Sequence, residues 1–201
     1  TDAFNRLKPD MIVVLGDRYE LLPIVGTALV MRIPVAHISG GDITEGAIDN
    51  EVRNAVTMMS TLHFPGTEES AARIRAMRQS SDNIYVTGET NLDNFRNFTL
   101  LSKKELALSL GLDENKKWIL FTYHPVTKES LVDNMKSLQN ILKVIDELGE
   151  GFEVLIGKAN TDLYGNEINH CLGKYVPTKS CCHLFASLGQ LRYTSILQHL
   201  Y

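Results

Sequence analysis

The stretch "IPVAHISGGDITEGAIDNEVRNA", residues 33–55, passes from a β-branched apolar run through two glycines into an acid-rich segment with helical spacing. An apolar run that ends in a glycine turn and leads into a helix is one βα step of a parallel sheet. The step recurs along the chain. Further apolar runs stand at 11–16 ("MIVVLG"), 62–66 ("LHFPG"), 83–88 ("NIYVTG"), 118–123 ("WILFTY") and 152–157 ("FEVLIG"). Helical periodicity fills 48–60, 67–78 and 128–148, the last with Leu131, Met135, Leu138, Ile141, Leu142 and Ile145 on one stripe. The runs are apolar almost throughout, as in strands covered by helices on both faces.

The rhythm breaks at "TGETNLDNFRNFTLLS", and a helix is predicted to start after Ser102, with Glu105 in capping-box spacing. The sequence therefore reads as two Rossmann-like α/β halves, residues 1–94 and 95–201. A doubly wound sheet carries more strands on each flank than this chain supplies. The first strand has no βα unit before it and the last helix no strand after it, so the chain reads as truncated at both ends.

Of the 201 residues, 44% are hydrophobic and 22% charged, the balance of a folded globular protein. A net charge of -4 argues against nucleic acid as the partner, because phosphate-backbone binding needs clustered Lys and Arg. No apolar run has the length of a membrane span, and residues 1–10 lack the layout of a signal peptide. Both point to the cytosol. Cys171, Cys181 and Cys182 form no disulfide framework, and their spacing beside His170 and His183 matches no usual zinc pattern, so they read as reduced thiols.

In an open parallel sheet, ligands bind beyond the carboxyl ends of the strands. Asp17 and Arg18 follow the first run, Asp42 follows Gly40 and Gly41, His124 follows "WILFTY", and Asn160 and Asp162 follow "FEVLIG". Asp49 and Arg53 stand one helical turn apart and share a face. Taken alone they are an exposed ion pair on a helix start; Asp17 and Asp42 at the same sheet edge raise their significance. Pro125 holds His124 extended at its strand mouth. His37, inside a strand, is assigned to the core, and Glu68 and Glu69 to an acidic first turn.

Together, "GDRYE" (16–20), the 33–55 stretch, "HFPGTEE" (63–69) and "FTYHPVT" (121–127) resemble the hydrolysing UDP-N-acetylglucosamine 2-epimerases, most closely the branch serving sialic-acid-type sugars. The resemblance implies a glycosyltransferase-B-like fold with a UDP-sugar held in the cleft between the halves, no cofactor, no metal and a homo-oligomer. It implies catalytic roles for Asp17, Asp42, Asp49, Arg53 and His124, and substrate contacts from Arg18, Gly40, Gly41, Asn160 and Asp162. The family shows "GGE" where this chain has "GGD", so Asp42 is one methylene shorter. The family's phosphate-binding loops at either end fall outside these residues.

The implied reaction eliminates UDP from C1 with loss of the C2 proton, then adds water to the glycal to give N-acetylmannosamine. No carbonyl acidifies that proton, so leaving-group departure leads and positive charge develops at the ring, where fixed carboxylates are useful. Crowded aspartates are expected to raise one another's pKa, leaving one as a proton shuttle. The rivals are a non-hydrolysing epimerase or glycosyltransferase of like architecture, and a fragment that binds sugar nucleotide without turnover.

Overall fold

Short β-branched runs alternating with amphipathic segments fold as parallel βα steps. The computed structural model describes residues 1–201, which divide into two units, Thr1–Asp93 and Asn94–Tyr201. No helix is long and apolar enough to cross a membrane.

In the first unit, α1 (Asp2–Leu7) precedes β1 (Ile12–Leu15), α2 (Leu21–Val30), β2 (Val35–Ile38), α3 (Asp49–Met59), β3 (Leu62–Phe64) and α4 (Glu68–Arg78). The sheet order is β1-β2-β3, all parallel. Strands added in one direction by right-handed crossovers carry their helices on one face. Accordingly Val14 and Val35 pack with Val25 and Ala28 of α2 and Val52 and Val56 of α3. The opposite face of β1 is open, with Val13 65% and Leu15 56% exposed. The expectation of cover on both faces fails for this strand, because an apolar run does not say which neighbours the chain provides.

A second correction concerns "NIYVTG". It forms a single parallel bridge, Ile84 to His63, with the His63 N–H donating to Asn83 O (2.8 Å) and the Tyr85 N–H to His63 O (2.9 Å). Tyr85 and Val86 stay exposed, so the run lacks the burial that would extend the strand.

The second unit runs α5 (Asn94–Asn97), α6 (Lys103–Leu110), β4 (Lys117–Thr122), α7 (Leu131–Glu147), β5 (Phe152–Gly157), α8 (Gly165–Tyr175), β6 (Cys182–Phe185) and α9 (Gln190–Ile196). Ser102 and Glu105 close the predicted capping box on α6. Helix α7 begins at Leu131, later than the periodicity suggests, because Ser130 accepts a hydrogen bond from the Asp133 N–H and caps it there. Strand β5 is central and covered on both sides. Val154 and Ile156 meet Leu138, Leu142 and Ile145 of α7 and Ile168 and Leu172 of α8. Leu155 faces Trp118, Leu106, Ala107 and Ile196. The Glu153 carboxylate, 5% exposed, is satisfied by His183 Nε2 at 2.6 Å and Lys116 Nζ at 3.4 Å.

Strand β6, hidden in sequence behind its paired cysteines, joins the far side of β5. On the other side, Leu200 bridges Trp118 in parallel, and the Tyr201 N–H donates to Trp118 O at 3.0 Å. The chain therefore returns to the sheet after α9, against the expectation of no pairing there. Strand order across the unit runs β6, β5, β4, Leu200. It reverses at β4.

One buried group makes the first unit sensitive to acid. His63 is fully buried and neither ring nitrogen has a hydrogen-bond partner. Burial first, then the positive Arg78 and His37, push its pKa from 6.5 down to about 4. Between these values only the unfolded chain binds the proton, so stability is full above about 6.5 and is lost as pH falls towards about 4. Urea midpoints measured from pH 7 to pH 4 are expected to fall less steeply in His63→Phe than in the parent; parallel curves would refute the assignment.

Candidate functional site

Two turns at the carboxyl edge of the first sheet explain the glycine pair. Beyond β2, Gly41 has φ +81°, and a Cβ there would run into the Ser70 carbonyl and lie 2.9 Å from Ile74 Cγ1. A Cβ at Gly40 would lie 2.9 Å from His37 Nδ1. Neither position has room for a side chain. Beyond β1, the Gly16 N–H donates to Ile38 O at 3.0 Å, tying the turn that carries Asp17 to β2.

Arg53 joins these turns. Its guanidinium is 5% exposed and ion-paired with the Asp17 carboxylate. It also donates to Asp42 O (2.8 Å), Thr44 Oγ1 (3.0 Å) and Asn50 Oδ1 (3.4 Å). Asn50 closes the intervening loop by accepting from the Thr44 N–H at 2.8 Å and donating to Thr44 O at 2.7 Å. The Asp42 carboxylate accepts from Ser70 Oγ at 2.5 Å. Ser70 in turn lies 3.0 Å from Thr67 Oγ1, the side chain that caps α4. Asp49 opens the first turn of α3, one turn before Arg53, where the helix dipole favours an anion. Asp17, Asp42, Asp49 and Arg53 thus share one sheet edge, with Gly40 and Gly41 beneath them. Arg18 points outward, 3.6 Å from Glu20, both half exposed.

Two neighbours escaped the sequence reading. Ser70 sits inside a segment read only as helix. Glu89, from "TGET", accepts from Ser39 Oγ at 3.2 Å and packs against Gly66. Local periodicity carries no signal for either.

In the second unit, His124 stands exposed directly beyond β4, at the reversal of strand order where parallel sheets open their ligand crevice. The Asn160 N–H donates to His124 Nδ1 at 3.3 Å, which leaves Nε2 as the protonated nitrogen of the neutral ring. Asn160 Nδ2 donates to Asp162 Oδ2 at 2.5 Å. His124, Asn160 and Asp162 therefore form one cluster. Buried Asn134 fixes the loop: it accepts from the Val126 N–H (2.8 Å) and from Tyr123 Oη (3.1 Å), and donates to Val126 O (3.2 Å). Its place within the apolar spacing of α7 concealed this role.

The thiols stand apart from both clusters. Burial, with Cys181 beside it, pushes Cys182 up to about 12, which makes it a poor nucleophile. Cys171 lines a groove of about 520 Å³ between α7 and α8, with Leu131, Met135 and His170. None of the strand-end residues lines that groove.

The family model described as UDP-N-acetylglucosamine 2-epimerase matches residues 1–201. A Campylobacter jejuni protein named GDP/UDP-N,N'-diacetylbacillosamine 2-epimerase (hydrolyzing) is 36% identical over 199 residues, 98% of this chain and 51% of that protein. A Legionella pneumophila UDP-N,N'-diacetylbacillosamine 2-epimerase (hydrolyzing) is 30% identical over 177 residues, 88% of this chain and 46% of that protein. Among solved structures, UDP-GlcNAc 2-epimerase from Neisseria meningitidis bound to UDP-GlcNAc superposes with a TM-score of 0.77 at 21% identity, covering 100% of this chain and 55% of that one. At that identity the likeness concerns the fold: two parallel sheets with helices. The chain spans about half the length of the relatives it matches.

Arg53 supplies the test of the first cluster. Arg53→Met strips a partly buried carboxylate and the Asp42 carbonyl of their donor, and unfolding free energy is expected to fall by about 3 kcal/mol, the scale for breaking a buried pair. Arg53→Lys should recover little, because one ammonium cannot span four acceptors. Denaturant titration measures both; a loss below about 1 kcal/mol for Arg53→Met would class the pair with exposed salt bridges.

Proposed function

The chain belongs to the UDP-N-acetylglucosamine 2-epimerase family, and from that premise we propose that it serves a hydrolysing 2-epimerase acting on a UDP-linked 2-acetamido sugar. The substrate loses UDP from C1 and its proton from C2 to give a glycal, and water then adds to give the free 2-epimer. UDP-N-acetylglucosamine gives N-acetylmannosamine by this route. UDP-N,N'-diacetylbacillosamine, the substrate named for the two curated relatives above, gives the corresponding diacetamido sugar. Either product is of the kind built into sialic-acid-type sugars.

The observation that carries this reading is the Arg53 junction, which ties the turns of Asp17 and Asp42 together at the edge where Asp49 begins α3. Departure of a diphosphate from C1 leaves cationic character at the ring, and carboxylates held in place before the reaction stabilise it without reorganisation. One of the three shuttles the C2 proton. The others keep their charge. His124, with Nδ1 already accepting from Asn160, has its Nε2–H to offer the leaving phosphate. Arg18, Gly40, Gly41, Asn160 and Asp162 complete the proposed substrate contacts.

Incubation with each nucleotide sugar in D2O, followed by NMR, tests the proposal. Expected are free UDP and a free 2-epimer carrying deuterium at C2. Asp17→Asn should lower kcat by about 100-fold or more, the loss that follows removal of a group acting on the reacting atoms. A nucleotide-linked epimer without free UDP would overturn hydrolysis. No turnover, together with no thermal stabilisation by millimolar UDP, would overturn the enzymatic reading.

A further inference from the structure

We propose that His37 is a positioning residue, a strut that sets the two strand-end turns bearing Asp17 and Asp42 in one fixed frame. The inference rests on the epimerase reading above and extends it to a residue that touches no substrate. His37 is fully buried in β2. Its Nε2 lies 2.8 Å from Gly16 O and its Nδ1 3.1 Å from Thr57 Oγ1. A carbonyl only accepts, so Nε2 carries the proton and Nδ1 accepts from the Thr57 hydroxyl.

That carbonyl belongs to the peptide joining Gly16 to Asp17. Because the peptide is planar, fixing its oxygen fixes the direction in which the chain enters Asp17. With the Gly16 N–H on Ile38 O, both backbone polar groups of Gly16 are tied to β2. The same ring supports the second turn. A Cβ on Gly40 would come 2.9 Å from His37 Nδ1 and 3.1 Å from Thr57 Oγ1, so the glycine turn leading to Asp42 rests directly on the His37–Thr57 pair. Thr57 lies one turn beyond Arg53 on the same face of α3. Helix α3 therefore holds Asp17 twice, by the Arg53 ion pair at its carboxylate and through His37 at the peptide before it. Burial, with Arg53 nearby, keeps the ring neutral by lowering its pKa, so the tie persists when the solution is mildly acidic.

Two substitutions separate the strut from mere packing. The amide of Gln reaches the place of Nε2, whereas that of Asn stops at the place of Nδ1. In His37→Gln the bond to Gly16 O is retained, and kcat is expected within about threefold of the parent, while His37→Asn loses about 30-fold in kcat with KM changed less than threefold. Both are normalised to folded protein by denaturant titration. Independently of turnover, the Asp17 amide resonance should shift in His37→Asn and hold in His37→Gln. Equal kcat per folded molecule in the two variants, or an unmoved Asp17 amide in His37→Asn, would overturn the strut. If the parent shows no turnover on either sugar nucleotide, the epimerase reading fails, and the amide resonance still decides whether His37 sets the turn.

Discussion

A guanidinium 5% exposed to solvent has to be neutralised and hydrogen-bonded by its surroundings, and Arg53 draws those partners from three places in the chain. The Asp17 carboxylate comes from the turn after β1. The Asp42 carbonyl comes from the turn after β2. Thr44 and Asn50 come from the loop leading into α3. Satisfying one charge therefore fixes the relative placement of two strand ends and a helix start. The glycine pair is the steric counterpart of this constraint, since the turn it makes presses against His37 below and Ser70 beside it.

The βα order, the glycine turn and the helix caps at Ser102 and Thr67 were legible because each is encoded by residues close together in sequence. The strand-end rule likewise placed Asp17, Asp42, His124, Asn160 and Asp162 on the ligand side of their sheets. What could not be read were contacts between segments. The Asp42–Ser70 bond spans 28 residues and the His37–Gly16 bond 21. Asn134 occupies a buried helical position normally filled by an apolar side chain, and its purpose shows only when the loop after β4 folds over it. Strand β6 was missed for a different reason. Four residues beginning "CH" offer too little pattern to declare a strand, and pairing with β5 supplies what the pattern lacks.

The two sheets share topology but differ in cover. In the second unit, β5 is buried on both faces because helices lie on both, as reversal of strand order at β4 demands. In the first, all crossovers run one way and leave Val13 and Leu15 exposed. Both expose the carboxyl ends of their strands to polar residues, and in both a hydrogen-bonded side chain braces the loop there. His37 does so in the first unit and Asn134 in the second.

The shorter acid at Asp42 shows how tightly such bracing limits adjustment. Losing a methylene could be offset if the turn moved forward, but Asp42 O is held by Arg53, and Gly40 and Gly41 already sit against side chains and backbone. The carboxylate has instead settled on Ser70, at the capped start of α4. A glutamate grafted onto this backbone would overreach that hydroxyl, so Asp42 and Ser70 act as a pair rather than as a truncated version of a longer residue. Reach is therefore set by the frame that Arg53 and His37 define, and any sugar ring that uses Asp42 has to come to the carboxylate where α4 holds it.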